Sequence, residues 1–187
     1  MTEITVTPAT TALVLIDLQR GIVGGTLAPH SAGDVVKRAS RLAQECRKAG
    51  VLVVLVRVDV GPAGILFPHV EADIPRPAFS VPDDWSELVP ELGMTRGDVV
   101  VTKHQPNAFY GTDLEIQLAR RGIRTILLGG IATNMGVGTA RQVCTGSTRA
   151  ELVAYLDADD GWEPVYLAGV KTSLALHPDA ASAYSEI

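Results

Sequence analysis

The sequence predicts an α/β fold: a doubly wound, Rossmann-like three-layer sandwich with a mainly parallel central sheet. Three observations carry this. Short runs of aliphatic and β-branched residues recur along the chain. They alternate with segments of helical spacing. The runs also lack the polar alternation of a half-exposed sheet, which argues that helices cover both faces. The length of 187 residues suits a single domain over 1–187.

The first strand is expected at Thr11-Ala-Leu-Val-Leu-Ile-Asp17, an apolar run ending in an acid. Residues 33–50 then show helical spacing. Val35, Val36, Ala39, Leu42, Ala43 and Cys46 share a face, and Gly50 is a stop signal. Residues 51–58 read as a second strand, 98–103 as a third and 125–130 as a fourth. Between the last two, Thr112-Asp-Leu-Glu115 has the spacing of a capping box. Leu114, Leu118 and Ala119 are expected inside, and Gly122 ends that helix. Another helix is expected to start near Thr133 or Asn134. Residues 151–156 are a candidate fifth strand, and the chain from Gly161 onward reads as weakly periodic helix. Six of the 11 prolines fall within residues 62–90. This is expected to be a long irregular loop, with a helical turn at 85–88.

Composition excludes several classes. With 47% hydrophobic and 20% charged residues the chain is not wholly disordered. A net charge of -5 without a basic cluster argues against a nucleic-acid partner. Mean hydropathy is +0.21, yet no apolar run approaches the ~20 residues of a membrane span. Two cysteines, Cys46 and Cys144, are too few for a disulfide framework or a Cys-rich metal site. Residues 1–8 lack the basic start and apolar stretch of a secretory signal, so a cytoplasmic location is expected.

In open α/β sheets ligands bind outside the carboxyl ends of the strands. Three features collect there: Asp17 after the first strand, Lys103 ending the third, and the turn Gly129-Gly-Ile-Ala-Thr-Asn-Met-Gly136 after the fourth. Charged groups at the ends of buried strands are costly unless they pair or work. As plain structure, Asp17 would be a cap and Lys103 a solvated lysine; the two together at one edge favour function. His69 and His104 read as loop residues, and no metal or other cofactor is expected. Phe109 and Tyr110 either line the pocket or fill space under a loop. Trp85 and Phe79 are candidates for a lid or subunit contact, and Cys46 for the core.

These residues also carry a resemblance. Leu15-Ile-Asp-Leu-Gln19, Val101-Thr-Lys103, Ala108-Phe-Tyr-Gly-Thr-Asp-Leu114, and Gly130-Ile-Ala-Thr-Asn134 followed by Thr139-Ala-Arg141 resemble the isochorismatase-like hydrolase superfamily, also called the cysteine hydrolases. The likeness is colinear from about residue 11 to residue 141. It implies the doubly wound fold, a small-molecule substrate and a homo-oligomer, dimer or larger. It also implies a catalytic Asp, Lys and Cys, matched here by Asp17 and Lys103. Amides of the turn holding Ile131, Ala132, Asn134 and Met135 are expected to contact substrate. The family's nucleophile position falls at Gly136, which has no side chain, as in isochorismatases. At Ala132 and Asn134, however, the chain departs from isochorismatases, which carry an aromatic residue and a histidine there. Because Gly136 leaves no thiol nucleophile, hydrolysis of an enol-ether type, dependent on Asp17 and Lys103, is expected over amide hydrolysis. The alternative is a catalytically inactive member that binds a small anionic or amide ligand.

Overall fold

A computed structural model describes residues 7–25, 30–61, 81–131 and 136–140, and the backbone of 152–156. Five parallel strands form one sheet: β1 (Thr11–Ile16), β2 (Leu52–Val58), β3 (Val99–Lys103), β4 (Thr125–Gly130) and β5 (Leu152–Leu156). Their spatial order is β3-β2-β1-β4-β5. After β1 the chain builds outward on one side, and after β3 it crosses to the other. The switch point therefore lies between the ends of β1 and β4, where open α/β sheets leave a crevice.

Every residue of β1 is buried, because helices cover both faces. Leu13 and Leu15 pack with Val53 and Leu55 beneath α2 (Ala32–Lys48), against Val35, Val36, Ala39, Ala43 and Cys46. Ala12, Val14 and Ile16 point the other way, into a cluster with Val54, Val56, Val101, Ile126 and Leu128. Leu114 and Leu118 of α3 (Leu114–Arg120) close that second layer. A strand with side chains alternating between two apolar layers must be apolar throughout, and this accounts for its uniform sequence.

The helix ends refine the expectations. The Ser31 hydroxyl caps α2 by accepting from the Asp34 amide at 3.2 Å. Gly50, at φ 78°, takes the left-handed turn that ends this segment. The capping box at residues 112–115 does not form. The Thr112 hydroxyl instead accepts from the Leu114 amide at 3.2 Å and donates to the Ala108 carbonyl at 2.6 Å, and α3 starts at Leu114. The helix is short, so its buried stripe narrows to Leu114 and Leu118; Ala119 is exposed. Residues 85–88 do not extend as a helical turn. Leu88 forms an antiparallel bridge with Gln19 instead, and a short 3-10 turn follows at Pro90–Leu92.

Among the described residues no helix is long and apolar enough to cross a membrane. Most of the proline-rich segment, Phe79 with it, and the region from Gly161 onward lie outside the described residues.

Candidate functional site

Asp17 follows the last residue of β1 with φ 60°. The left-handed region is uncommon for a residue with a side chain, and Asp tolerates it better than most. The Asp17 amide donates to the Val56 carbonyl at 2.8 Å, which holds the turn against β2. Lys103 closes β3, on the far side of β2, and is 1% exposed. Its ammonium donates to Oδ2 of Asp17 at 2.9 Å and to the Pro106 carbonyl at 2.7 Å.

The loop after β3 is tied to its surroundings. The Asn107 side chain accepts from the Phe109 amide at 2.8 Å and donates to the Thr139 carbonyl at 3.3 Å. The loop that supplies the Pro106 carbonyl to Lys103 is thus joined to the helical residues 136–140.

Asp17 has a divided carboxyl. Oδ2 is paired with Lys103. Oδ1 is buried and has no hydrogen-bond partner among the described residues. Burial pushes the Asp17 pKa up from 3.8 to about 6, although the Lys103 charge and hydrogen bond pull it down. Desolvation outweighs the ion pair, the balance a general acid working near neutral pH requires.

Gly136 stands directly against this pair. A Cβ built on it would lie 2.5 Å from Oδ2 of Asp17 and 3.1 Å from Nζ of Lys103. The ion pair itself therefore occupies the space beside Gly136. Cys46 is no replacement for a thiol at that position. It is buried on the α2 side of the sheet, and burial pushes its pKa up.

The structure brings Asp17, Lys103 and Gly136 together and distributes the other candidates. Phe109 is packed in the α3-side core with Val137 and Ala140. Tyr110 is 75% exposed. The Ile131 side chain is buried in the α2-side core, while its amide donates to the Ile16 carbonyl at 3.0 Å. Ala132, Asn134 and Met135 lie outside the described residues. Trp85 is buried and packs with Val58 and Val60 of its own chain. His104 is exposed, with Nδ1 2.8 Å from the Asp59 carbonyl.

Two residues beside the site carry more than sequence reasoning gave them. Gln19 is fully buried. Its amide nitrogen donates to the carbonyls of Val58 at 2.9 Å and Trp85 at 3.1 Å, and its oxygen accepts from the Val58 amide at 2.7 Å. It ties the ends of β1 and β2 to the segment after residue 81. The only sequence signal was its place in the run after Asp17. Gly130, at φ 138°, pairs with Ile16, and a Cβ there would lie 2.0 Å from the Ile16 carbonyl oxygen. Glycine is what lets β4 close on β1 at the switch point.

Comparisons with known proteins bear on the family and the fold. Residues 11–146 match the Isochorismatase domain model. The chain is 49% identical over 138 residues to the isochorismatase family protein YecD of Escherichia coli O157:H7, covering 71% of each. It is 30% identical over 158 residues to the ureidoacrylate amidohydrolase RutB of Pseudomonas syringae, covering 70% of this chain and 62% of that protein. Among solved structures, an isochorismatase family protein from Burkholderia thailandensis superposes with a TM-score of 0.73 at 40% identity, over 92% of this chain and 87% of that one. The N-carbamoylsarcosine amidase of Thermoplasma acidophilum shares the fold, with a TM-score of 0.61 at 23% identity over 82% of this chain and 99% of that one. The matched model spans most of the sequence, and a solved member superposes over nearly the whole chain: the chain belongs to the isochorismatase family of hydrolases.

Proposed function

We propose that this protein hydrolyses a small molecule by acid catalysis from Asp17, with Lys103 as its partner and without a thiol nucleophile. An enol ether of the isochorismate kind suits such a site better than an amide. The carrying observation is the divided Asp17 carboxyl: one oxygen held by Lys103, the other buried without a partner among the described residues, and a pKa near 6. Roughly a tenth of such a carboxyl is protonated at pH 7.

In this reading the Oδ1 proton passes to the terminal carbon of the enol double bond. The ether carbon becomes an oxocarbenium ion, and Asp17 is left as a carboxylate facing the Lys103 ammonium. Water adds to the cationic carbon and loses a proton. The resulting hemiketal then breaks its bond to the alcohol oxygen as its hydroxyl proton is transferred to that oxygen, releasing a ketone and an alcohol. No side chain at residue 136 is needed. The turn of Ala132, Asn134 and Met135 would supply contacts to an anionic substrate group; Ile131, with its side chain in the core and its amide on the Ile16 carbonyl, would not. Positioned acids of this kind contribute about 10²–10⁴-fold.

The test is turnover of isochorismate, simple enol ethers and ureidoacrylate by the wild type and Asp17→Asn. Enol-ether turnover should fall ~100-fold or more in the variant. Equal rates would remove Asp17 from the mechanism. Binding of these compounds without turnover of any would point instead to an inactive family member that binds a small anionic or amide ligand.

A further inference from the structure

We propose that Gln19 is the positioning residue of the acid–lysine pair: its side-chain amide replaces the backbone of β1 in the ladder with β2, so that Asp17 can turn out of that ladder while Lys103 stays within reach. The catalytic meaning of this rests on the acid role given to Asp17; the geometry does not.

β1 and β2 pair in register as far as Ile16 and Val56, and the Asp17 amide adds a bond to the Val56 carbonyl. In a parallel ladder the next β2 residue turned toward β1 lies two further on, at Val58. The β1 backbone turns away before it. Asp17 takes its left-handed turn at φ 60°, and the residues after it bond elsewhere. The Leu18 carbonyl accepts from the Val89 amide at 3.1 Å, and the Arg20 amide donates to the Glu87 carbonyl at 2.8 Å. The Val58 amide and carbonyl are both taken by the Gln19 side chain, at 2.7 and 2.9 Å. A primary amide offers a donor and an acceptor as a peptide group does.

Val58 matters for what stands on its other side. It is the register partner of Lys103, and the amide of the next residue, Asp59, donates to the Lys103 carbonyl at 2.9 Å. Gln19 therefore fastens the chain two residues after Asp17 to the β2 residue against which Lys103 is set. Acid and ammonium meet across β2, and this link fixes the width they span. The second amide proton goes to the Trp85 carbonyl at 3.1 Å, which anchors the clamp to the segment at 85–89. Gln19 is fully buried. Without its amide, Val58 has to draw in water, which both parts the two charges and screens them.

The test is a double-mutant cycle read by carbon-13 titration of the Asp17 carboxyl. It needs no substrate, so its outcome is separate from that of the acid mechanism. Lys103→Met, or Lys103→Gln should the first not fold, removes the charge that lowers the Asp17 pKa. The resulting rise in midpoint measures how strongly the two groups couple. In a Gln19→Met background, where volume is kept and the amide is lost, that rise should shrink by about half or more. In a Val53→Ala background, which weakens the β2 core beneath α2 without touching Val58, it should keep its wild-type size. No rise in the wild-type background, an undiminished rise with Gln19→Met, or an equal reduction in both backgrounds overturns the proposal. So does a double variant that cannot fold while Gln19→Met and the Lys103 variant each fold, since a pair already parted has little left to lose. Should Gln19→Met itself not fold, Gln19→Glu takes its place: its carboxylate keeps the bond from the Val58 amide but cannot donate to the Val58 and Trp85 carbonyls. Failure of both to fold while Val53→Ala folds makes Gln19 a purely structural residue and overturns the proposal as well.

Discussion

The Lys103 ammonium lies 2.9 Å from Oδ2 of Asp17 across 86 positions of sequence, with both side chains withdrawn from solvent. A buried ion pair is weak evidence for stability, since desolvation offsets the attraction. Its consequence here is chemical. The parallel sheet delivers an acid from β1 and a base from β3 to one edge, and burial sets the acid's proton affinity.

The pH dependence of stability should carry the mark of this carboxyl. Its pKa is higher in the folded chain, about 6, than the ordinary 3.8, so the native state binds the proton more tightly than the unfolded one. The stability gained from this is fully present below about pH 4 and is lost as pH rises through 6. The Tm of wild type minus that of Asp17→Asn should therefore be larger at pH 4 than at pH 7. A difference that does not vary with pH would contradict the shift.

Replacing the base should move the acid. In Lys103→Met the apolar volume is largely kept, while the charge and hydrogen bond that hold the Asp17 pKa down are gone. The Asp17 midpoint should climb above 6, as followed by carbon-13 titration. A fall would show that solvent, and not Lys103, governs this carboxyl.

Gln19→Ala should destabilise the fold by about 2–4 kcal/mol. It removes three buried hydrogen bonds and leaves the Val58 amide and carbonyl without their bonds to the Gln19 side chain, while the Trp85 carbonyl keeps the Gly21 amide. Urea unfolding measures this; a change under ~0.5 kcal/mol would show that water replaces the side chain without cost.

Gly130→Ala should be more severe than an ordinary core substitution. The new methyl meets the Ile16 carbonyl oxygen at 2.0 Å on a backbone at φ 138°, and both strands are central to the sheet. Loss of soluble folded protein, or a Tm drop of roughly 10 °C or more, is expected. Near-native melting would mean that β4 can slide away from β1.

The fold was legible because its signals are local. β1 and β2 show the uniform apolar runs that a sheet covered on both faces imposes, and Gly50 and Gly122 mark stops that the backbone obeys with positive φ. Asp17 and Lys103 were legible as charges stranded at the ends of such runs. What escaped reading depends on contacts far apart in sequence. Thr112 has the spacing of a cap, but the Ala108 carbonyl is within reach and draws its hydroxyl elsewhere. Gln19 looks like any polar residue after a strand until β2 and Trp85 close around it. The family resemblance marked Gly136 as a missing nucleophile; that a Cβ there would meet the ion pair required coordinates.

The most direct test of Asp17 as the acid is the pH profile of kcat/KM for isochorismate or another enol ether, in wild type and Asp17→Asn. Protonated Asp17 predicts a rate that is high below pH 6 and falls tenfold per pH unit above it, with that limb absent from the variant. A wild-type rate that instead rises through pH 6 would make the carboxylate a base and contradict the account.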